Sequence, residues 1–382
     1  MAEEFSSIPI LDYGDVLSPT SKSTFLSTLR HALINVGFFY LRNPPIEVEA
    51  REALIQRSAS FFNLPTAQKQ EVALSNSKHF RGYASLGSEI TGMKSDGRET
   101  FTVAFDSPAP GSDSPCYHNL IGPNQWPPES TIPGFRQAVN TYLHEVQSLA
   151  DTFVILIAEA LDIDPTIFIR LLEKTRYSIF RIAAYPCPEI STESGSQGVG
   201  PHKDGSFLTF LLQGTDHSSL EVQNKAGEWI AAPPIPDTLV VNIGRLLENL
   251  TQGVCVATTH RVILRPRQYC REDSDSDTSR GLRLSFPFFQ SLGLDVSRED
   301  MQVELPDRIF SFRGDKQDMS DINAYLAEVY KGTIGESLLT SGIASHPDVG
   351  TRWYPELQAE ILKREHEARQ SDDLTPGGIE KA

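Results

Sequence analysis

His202-Lys203-Asp204, then His260, then Arg283-Leu284-Ser285 place chemistry-bearing side chains in an order that has few structural uses. Two imidazoles and one carboxylate are the donor set that holds non-heme Fe(II) on one face and leaves coordination positions open. His202 and Asp204 are two residues apart, so an extended strand would send both side chains to the same face. Lys203, between them, would point to the other face. The third donor, His260, must come from a different part of the chain. Arg283 and Ser285 repeat the spacing, and a guanidinium beside a hydroxyl can grip one carboxylate.

Composition sets the background for this pattern. Acidic residues number 50 of 382, so the nine histidines should yield about one H-x-D/E by accident. The second such triplet, His346-Pro347-Asp348, looks like the accident: its proline cannot donate to a strand ladder, and no R-x-S follows it. His202, by contrast, opens the apolar, β-rich run that ends at Gly214. A lone H-x-D is a weak signal; the ordered set in strand context is a specific one.

A 2-oxo acid could fill two of the open iron positions through its carboxylate and ketone oxygens, leaving one for O2. Its decarboxylation would supply electrons for attack on an unactivated C–H bond, while the protein orients substrate and excludes water.

At 382 residues the chain can bury a large core in one to three domains, and 39% hydrophobic with 22% charged residues describes an ordinary globular protein. The net charge of -16 argues against nucleic acid or an anionic membrane as partner, though a few arginines can still hold a small anion. The acidic start MAEEF is unlike a signal peptide, and no apolar run approaches the roughly 18 residues of a membrane span. Cys116, Cys187, Cys255 and Cys270 form no C-x-x-C pair. These features predict a cytoplasmic protein with reduced cysteines.

The elements that must position the site follow from periodicity. Residues 8–12 read as a short strand, 23–36 as a helix stopped by Gly37, 38–41 as a buried strand and 46–62 as a helix. Residues 76–124, rich in Gly, Pro and Ser, read as irregular and too long for a passive loop. Helices are predicted over 134–161 and 165–173. Beyond Tyr177 short strands recur at 178–184, 206–213, 220–222, 229–231, 239–243, 257–264 and 282–289, a density that suggests a jelly roll or barrel rather than a Rossmann sheet. The acidic, Ser-rich 272–279 reads as a solvated loop lacking the Gly and Glu of a calcium loop. Residues 323–331 read as a helix, and the tail after Gln370 as frayed. His79, His118, His144 and His217 have no matching partners and read as structural or surface residues, and Glu248 as an ion-pair residue. Arg81 and Arg98 are candidates to reach substrate from the long loop.

The chain resembles the Fe(II)/2-oxoglutarate-dependent dioxygenases, in the branch that holds isopenicillin N synthase and the plant flavonoid and gibberellin oxygenases. The resemblance runs from Ile8-Pro-Ile-Leu-Asp12 and Val36-Gly-Phe-Phe-Tyr-Leu41 through Phe80-Arg-Gly-Tyr83, Tyr185-Pro-Cys-Pro188 and Gly200-Pro-His-Lys-Asp204. It continues through Leu220-Glu-Val-Gln223, Gly227-Glu-Trp229, Val241-Asn-Ile-Gly244, Thr259-His-Arg-Val262 and Arg283-Leu-Ser-Phe-Pro-Phe-Phe289. It implies an α+β fold with a double-stranded β-helix (jelly roll) core flanked by N-terminal and C-terminal helices. It implies Fe(II) on His202, Asp204 and His260, O2 as oxidant, and 2-oxoglutarate as cosubstrate gripped by Arg283 and Ser285 with Tyr185 in the pocket wall. Two positions depart from the pattern: Arg245 stands where many relatives have Asp, and Ala183 where several plant members have Asn.

The implied organisation is an N-terminal dioxygenase domain over 1–125, connecting helices over 126–175, the catalytic jelly roll over 176–295 and a C-terminal helical extension over 296–382. The implied activity is hydroxylation or desaturation of a small organic molecule, in specialised metabolism, coupled to conversion of 2-oxoglutarate to succinate and CO2. Two alternatives stand beside it. An oxidase like isopenicillin N synthase would use the same metal set without 2-oxoglutarate, with Arg283 and Ser285 holding the substrate's own carboxylate. A non-catalytic jelly-roll binding or sensor protein would keep the fold but have no need of an intact metal set.

Overall fold

The computed structural model describes residues 5–91, 94–188, 195–269, 281–312 and 332–373. The chain opens with β1 (Ile10–Asp12), α1 (Pro19–His31) and β2 (Phe38–Arg42), followed by α2 (Val48–Phe62) and α3 (Thr66–Gln70). Short strands β3 (Gly82–Ala84), β4 (Ile90–Thr91), β5 (Lys94–Ser95) and β6 (Glu99–Val103) precede α4 (Phe135–Leu161) and α5 (Thr166–Glu173). The second half supplies β7 (Ser178–Tyr185), β8 (Ser196–His202), β9 (Leu208–Gln213), β10 (Leu220–Gln223), β11 (Trp229–Ala231) and β12 (Thr238–Ile243). After α6 (Arg245–Leu250) come β13 (His260–Leu264), β14 (Arg283–Gln290), α7 (Asp307–Phe310), α8 (Ile334–Ser345), α9 (Pro347–Trp353) and α10 (Pro355–Asp373).

An eight-stranded sheet in the order β1-β2-β12-β9-β14-β7-β6-β3 faces a four-stranded sheet in the order β11-β10-β13-β8. The strand pairings of both sheets are antiparallel except that of β1 with β2. The two sheets form the jelly roll. The outer face of the large sheet packs on α4, whose apolar residues recur every three or four positions and are buried: Val139, Tyr142, Val146, Leu149, Phe153 and Leu156. Phe153 meets Phe210 of β9 edge-on at 5.5 Å, and Tyr142 lies 5.5 Å from Phe180 of β7. A second, smaller cluster fills the space between the sheets, joining Phe38, Tyr40, Ala183, Tyr185 and Val240 to Val199, Val222 and Val262. A third packs the C-terminal helices on Leu74, Phe80 and Leu120, with Arg352 donating to Asn76 Oδ1 at 2.7 Å and Trp353 to the Ser75 carbonyl at 3.0 Å. No helix among the described residues is long and apolar enough to cross a membrane.

The long helices and most jelly-roll strands lie where periodicity predicts them. Three differences have physical causes. The predicted helix over 23–36 is α1 followed by a π-turn, Ala32–Val36, closed by Gly37 at φ 73°. A Cβ on Gly37 would stand 2.2 Å from Thr258 Oγ1 and 2.5 Å from the Val256 carbonyl, so only glycine lets this turn lie on the segment leading to His260.

The stretch 76–124, predicted irregular, contributes β3 and β6 to the large sheet. Strand β6 is buried on both faces, and its polar residues hide the pattern because each is paired: Glu99 with Lys69 at 2.6 Å and Tyr83 at 2.6 Å, Thr100 with Glu89 at 3.1 Å. Strand β8, with sequence Ser-Gln-Gly-Val-Gly-Pro-His, gave no strand signal. It is the edge of its sheet, where a proline is tolerated, and a Cβ on Gly198 would come within 2.7 Å of Val262 Cγ1. His202 therefore ends a strand rather than opening one. The stretch 272–279, the helix predicted over 323–331 and residues 374–382 lie outside the described residues; α10 itself runs three residues past Gln370.

Candidate active site

His202 closes β8 and His260 opens β13, and the antiparallel pairing makes them Cα partners. Their rings stand side by side, with centroids 4.2 Å apart. Asp204 lies in the turn between β8 and β9, and its Oδ1 is 3.5 Å from His202 Nε2 and 3.6 Å from His260 Nε2. One ligand atom from each residue falls within 4.8 Å of the others. The strand pairing thus does what the i, i+2 spacing predicts, although Asp204 sits just past the strand.

Hydrogen bonds aim the donors. His202 Nδ1 faces the Gly200 carbonyl at 2.8 Å and His260 Nδ1 the Thr258 carbonyl at 3.1 Å. A carbonyl only accepts, so each Nδ1 carries the proton and each Nε2 lone pair points at the centre of the group. Asp204 Oδ2 accepts from Thr209 Oγ1 at 2.6 Å and Asn242 Nδ2 at 2.8 Å, which leaves Oδ1 toward the imidazoles. Phe38 packs edge-on against His260 at 5.1 Å. Burial, with His202 close by, pushes His260 down to about 4. Burial opposes ionisation of Asp204, yet His260 and His202 hold its carboxyl well below the usual carboxylate range. Neutral imidazole and ionised carboxylate are the protonation states that a divalent metal requires of its ligands.

A second group stands on the inner face of the large sheet. Arg283 of β14 is the Cα partner of Tyr185 on β7, and Ser285 that of Ala183 on β7 and Gln213 on β9. The Arg283 guanidinium carbon lies 4.4 Å from the centre of the Tyr185 ring. Arg283 is 2% exposed, and its Nη1 is buried with no hydrogen-bond partner. A buried guanidinium with an unspent donor is costly alone and favourable against an anion. Tyr269 Oη donates to the Tyr185 carbonyl at 3.2 Å and fixes the strand end.

The remaining candidates separate clearly. Lys203 Nζ lies 3.8 Å from Glu248 Oε1, and Glu248 also accepts from the Ala257 amide at 2.9 Å, so Lys203 points away from the imidazoles as alternation predicts. Arg81 does not reach a cavity: it is 1% exposed and donates to the His79 carbonyl at 2.8 Å and the Leu120 carbonyl at 2.6 Å, pinning the loop. Arg98 pairs Glu89 at 2.6 Å and Asp96 at 3.2 Å and also hydrogen-bonds the Tyr185 side chain, so it borders the Arg283–Tyr185 group. His79 faces the Asn119 carbonyl at 2.7 Å, His118 pairs Asp295 at 2.7 Å, His144 packs on Phe105 and His217 on Tyr269. His346 is the residue before α9, 6.3 Å from the Phe80 ring and beside Glu89, Arg181 and Arg98, and it is not part of the His202, Asp204 and His260 group. Sequence reasoning passed over Thr209 and Asn242, whose only signal was a polar residue alternating inward on a buried apolar strand.

Comparison with known proteins shows the family. The model described as the 2OG-Fe(II) oxygenase superfamily matches residues 175–291, and that described as the N-terminal part of a non-haem dioxygenase in morphine synthesis matches residues 8–129. A 2-oxoglutarate-dependent dioxygenase of Gibberella zeae is 40% identical over 375 residues, 98% of each chain. The chain belongs to the 2OG-Fe(II) oxygenase superfamily. A second relative of this oxygenase, the 2-oxoglutarate-dependent dioxygenase frbJ of Dothideomycetidae sp., is 38% identical over 98% of this chain and 100% of its own. A full-length Neurospora crassa protein in complex with alpha-KG and 5-formyluracil superimposes with a TM-score of 0.65 at 25% identity, covering 88% of this chain and 96% of that one. The oxygenase is a 2-oxoglutarate-dependent enzyme using Fe(II), and its relatives do not favour the oxidase reading without 2-oxoglutarate.

Proposed function

We propose that His202, Asp204 and His260 hold the Fe(II) of this enzyme, that Arg283 and Ser285 take the distal carboxylate of 2-oxoglutarate, and that Tyr185 supports the Arg283 fork. The substrate is a small organic molecule of specialised metabolism, hydroxylated or desaturated. The observation that carries the reading is the pairing of two aimed imidazoles and a desolvated carboxylate with a buried, half-satisfied guanidinium on the facing sheet. Iron with 2-oxoglutarate and O2 supplies oxidation of a C–H bond coupled to release of succinate and CO2. The chain's own residues do the rest. Thr209 and Asn242 hold Asp204 in one rotamer, the Gly200 and Thr258 carbonyls fix the imidazole tautomers, and the apolar wall around Phe38 excludes water.

A small-molecule substrate is supported by relatives. Homoarginine-6-hydroxylase 2-ODD-C23 of Glycine max is 30% identical over 79% of this chain and 91% of its own, and the Neurospora crassa protein holds 5-formyluracil. A net charge of -16 argues in the same direction against nucleic acid or an anionic membrane. We assign the metal and cosubstrate to the segment 176–295 and the shaping of the substrate side to 1–125 and 296–382. The test is O2-dependent release of CO2 from 2-oxoglutarate by purified enzyme reconstituted with Fe(II). Loss of that release in His202→Ala supports the placement, and release undiminished in the variant overturns it.

A further inference from the structure

Three neighbouring strands of the large sheet carry Arg98, Tyr185 and Arg283 in one row. Glu99 of β6 is the Cα partner of Ala184 on β7, and Thr100 that of Ala183. One step further along this antiparallel pairing sets Arg98, the residue before β6, beside Tyr185. Tyr185 is in turn the Cα partner of Arg283 on β14. Phe101 and Val103 pack outward into the core under α4, whereas Ala183 and Tyr185 face the small sheet. Alternation therefore turns Arg98 inward with Tyr185.

The two arginines at the ends of this row differ electrostatically. Arg98 has a side chain 12% exposed and lies 2.6 Å from Glu89 and 3.2 Å from Asp96, whose own side chains are 7% and 0% exposed. These buried carboxylates balance its charge, and it also donates a hydrogen bond to the Tyr185 side chain. Arg283, at the other end, keeps Nη1 buried with no hydrogen-bond partner. The Tyr185 ring stands between them, its centre 4.4 Å from the Arg283 guanidinium carbon. A guanidinium has no acceptor, so the bond from Arg98 ends on the phenol oxygen. It pins the edge of the ring whose face carries Arg283.

Asp96 extends the row to the metal side. Its Oδ1 accepts from Gln197 Nε2 at 3.1 Å and its Oδ2 from Thr91 Oγ1 at 2.9 Å, while the Gly97 amide donates to the Gln197 carbonyl at 3.1 Å. Gln197 belongs to β8, the strand that ends at His202. A continuous set of contacts thus runs from the strand of a metal ligand through Asp96, Arg98 and Tyr185 to Arg283. One 2-oxoglutarate molecule must reach both the metal and Arg283, so the separation of the two decides how well it binds.

We propose that Arg98 is a positioning residue for the cosubstrate: through the phenol of Tyr185 it holds the Arg283 fork at the distance from β8 that 2-oxoglutarate spans. The inference rests on the placement of the cosubstrate proposed above. Arg98 touches neither metal nor cosubstrate and acts on the geometry of the group that does.

The experiment is a double-mutant cycle between Arg98 and Tyr185, read by anaerobic titration of the Fe(II) enzyme with 2-oxoglutarate. Arg98→Lys, which keeps a cation beside Glu89 and Asp96, should raise the Kd about fivefold or more. Steady-state kinetics should show a matching rise in KM, with kcat at saturating 2-oxoglutarate within about threefold of wild type. Tyr185→Phe removes the acceptor but keeps the ring and both arginines. It should raise the Kd at least as much, and it keeps the test standing should the Arg98 variant fail to fold. Added to Tyr185→Phe, Arg98→Lys should change the Kd by less than about twofold, because residues acting through one contact are not additive. Fe(II) affinity without 2-oxoglutarate should be that of wild type throughout. An unchanged Kd in either single variant, an equal effect of Arg98→Lys with and without Tyr185→Phe, or a fall in kcat with no rise in KM would each overturn the proposal. Arg283→Ala is the control: an unchanged Kd there would instead sink the placement of the cosubstrate.

Discussion

Tyr185 and Arg283 face each other across the β7–β14 pairing, with the guanidinium carbon 4.4 Å from the ring centre. The ring holds the fork flat while Nη1 stays unspent. A hydrogen bond to a charged group contributes about 1.5–3 kcal/mol, so Arg283→Ala should raise the KM for 2-oxoglutarate about tenfold or more while iron binding survives. Arg283→Lys should restore only part of it, because an ammonium keeps the charge but not the planar fork. Steady-state kinetics against 2-oxoglutarate reads both, and an unchanged KM in Arg283→Ala would remove it from the cosubstrate site.

The two H-x-D triplets make a matched pair of controls. His202→Ala should abolish tight Fe(II) binding, since it removes one of three clustered ligands. His346→Ala should leave it intact, since that ring lies against Phe80. Metal content after gel filtration distinguishes them; iron retained by the first variant and lost by the second would refute the site.

Asp204 depends on its anchors. Asn242→Leu removes the donor at 2.8 Å from Oδ2 without touching a ligand. Loss of such an outer partner weakens metal affinity about 10–100-fold. An Fe(II) titration monitored by fluorescence would show this, and wild-type affinity in Asn242→Leu would mean Thr209 alone sets the carboxylate.

Glu89 carries a pH-dependent share of stability. Burial opposes its ionisation, but Arg181 and Arg98 override this and hold the carboxyl far below the ordinary value of 4.5. A carboxyl whose pKa is depressed on folding contributes fully above its unfolded pKa, and the contribution declines as acid is added below it. Glu89→Gln removes the carboxylate shared by Arg98 and Arg181 while Arg98 keeps Asp96, which should cost about 1.5–3 kcal/mol at pH 7. Urea unfolding should show that gap between wild type and variant narrowing at pH 3. A gap equal at both pH values would show that the ion pairs are not its source.

How far the sequence disclosed this molecule depends on which residues are considered. The grouping of His202, Asp204 and His260 was legible from residue types and their order, although Asp204 lies in the turn past β8 rather than on an extended strand; Arg283 and Ser285 share a face by alternation along β14. Helix α4 was legible for the corresponding reason at its own period. Strand β8 was hidden by Gly198, Gly200 and Pro201, which suit close approach at a sheet edge but carry no strand propensity. Strand β6 was hidden by Glu99 and Thr100, whose burial is tolerable only because Lys69, Tyr83 and Glu89 lie opposite, and partners distant in sequence leave no local trace. Arg81 looked available and is not, because its carbonyl partners come from a loop that sequence periodicity does not describe.

The placement of β2 beside β12 has a consequence for synthesis of the chain. Tyr40 Oη donates to the Pro233 carbonyl, 193 residues further on, and Phe39 is the Cα partner of Val241. At about 5–20 residues per second, the ribosome delivers that partner roughly 10–40 s after the segment Phe-Phe-Tyr-Leu has emerged. For that interval one edge of an apolar strand has no neighbour, the condition under which nascent chains associate with one another or are covered by chaperones.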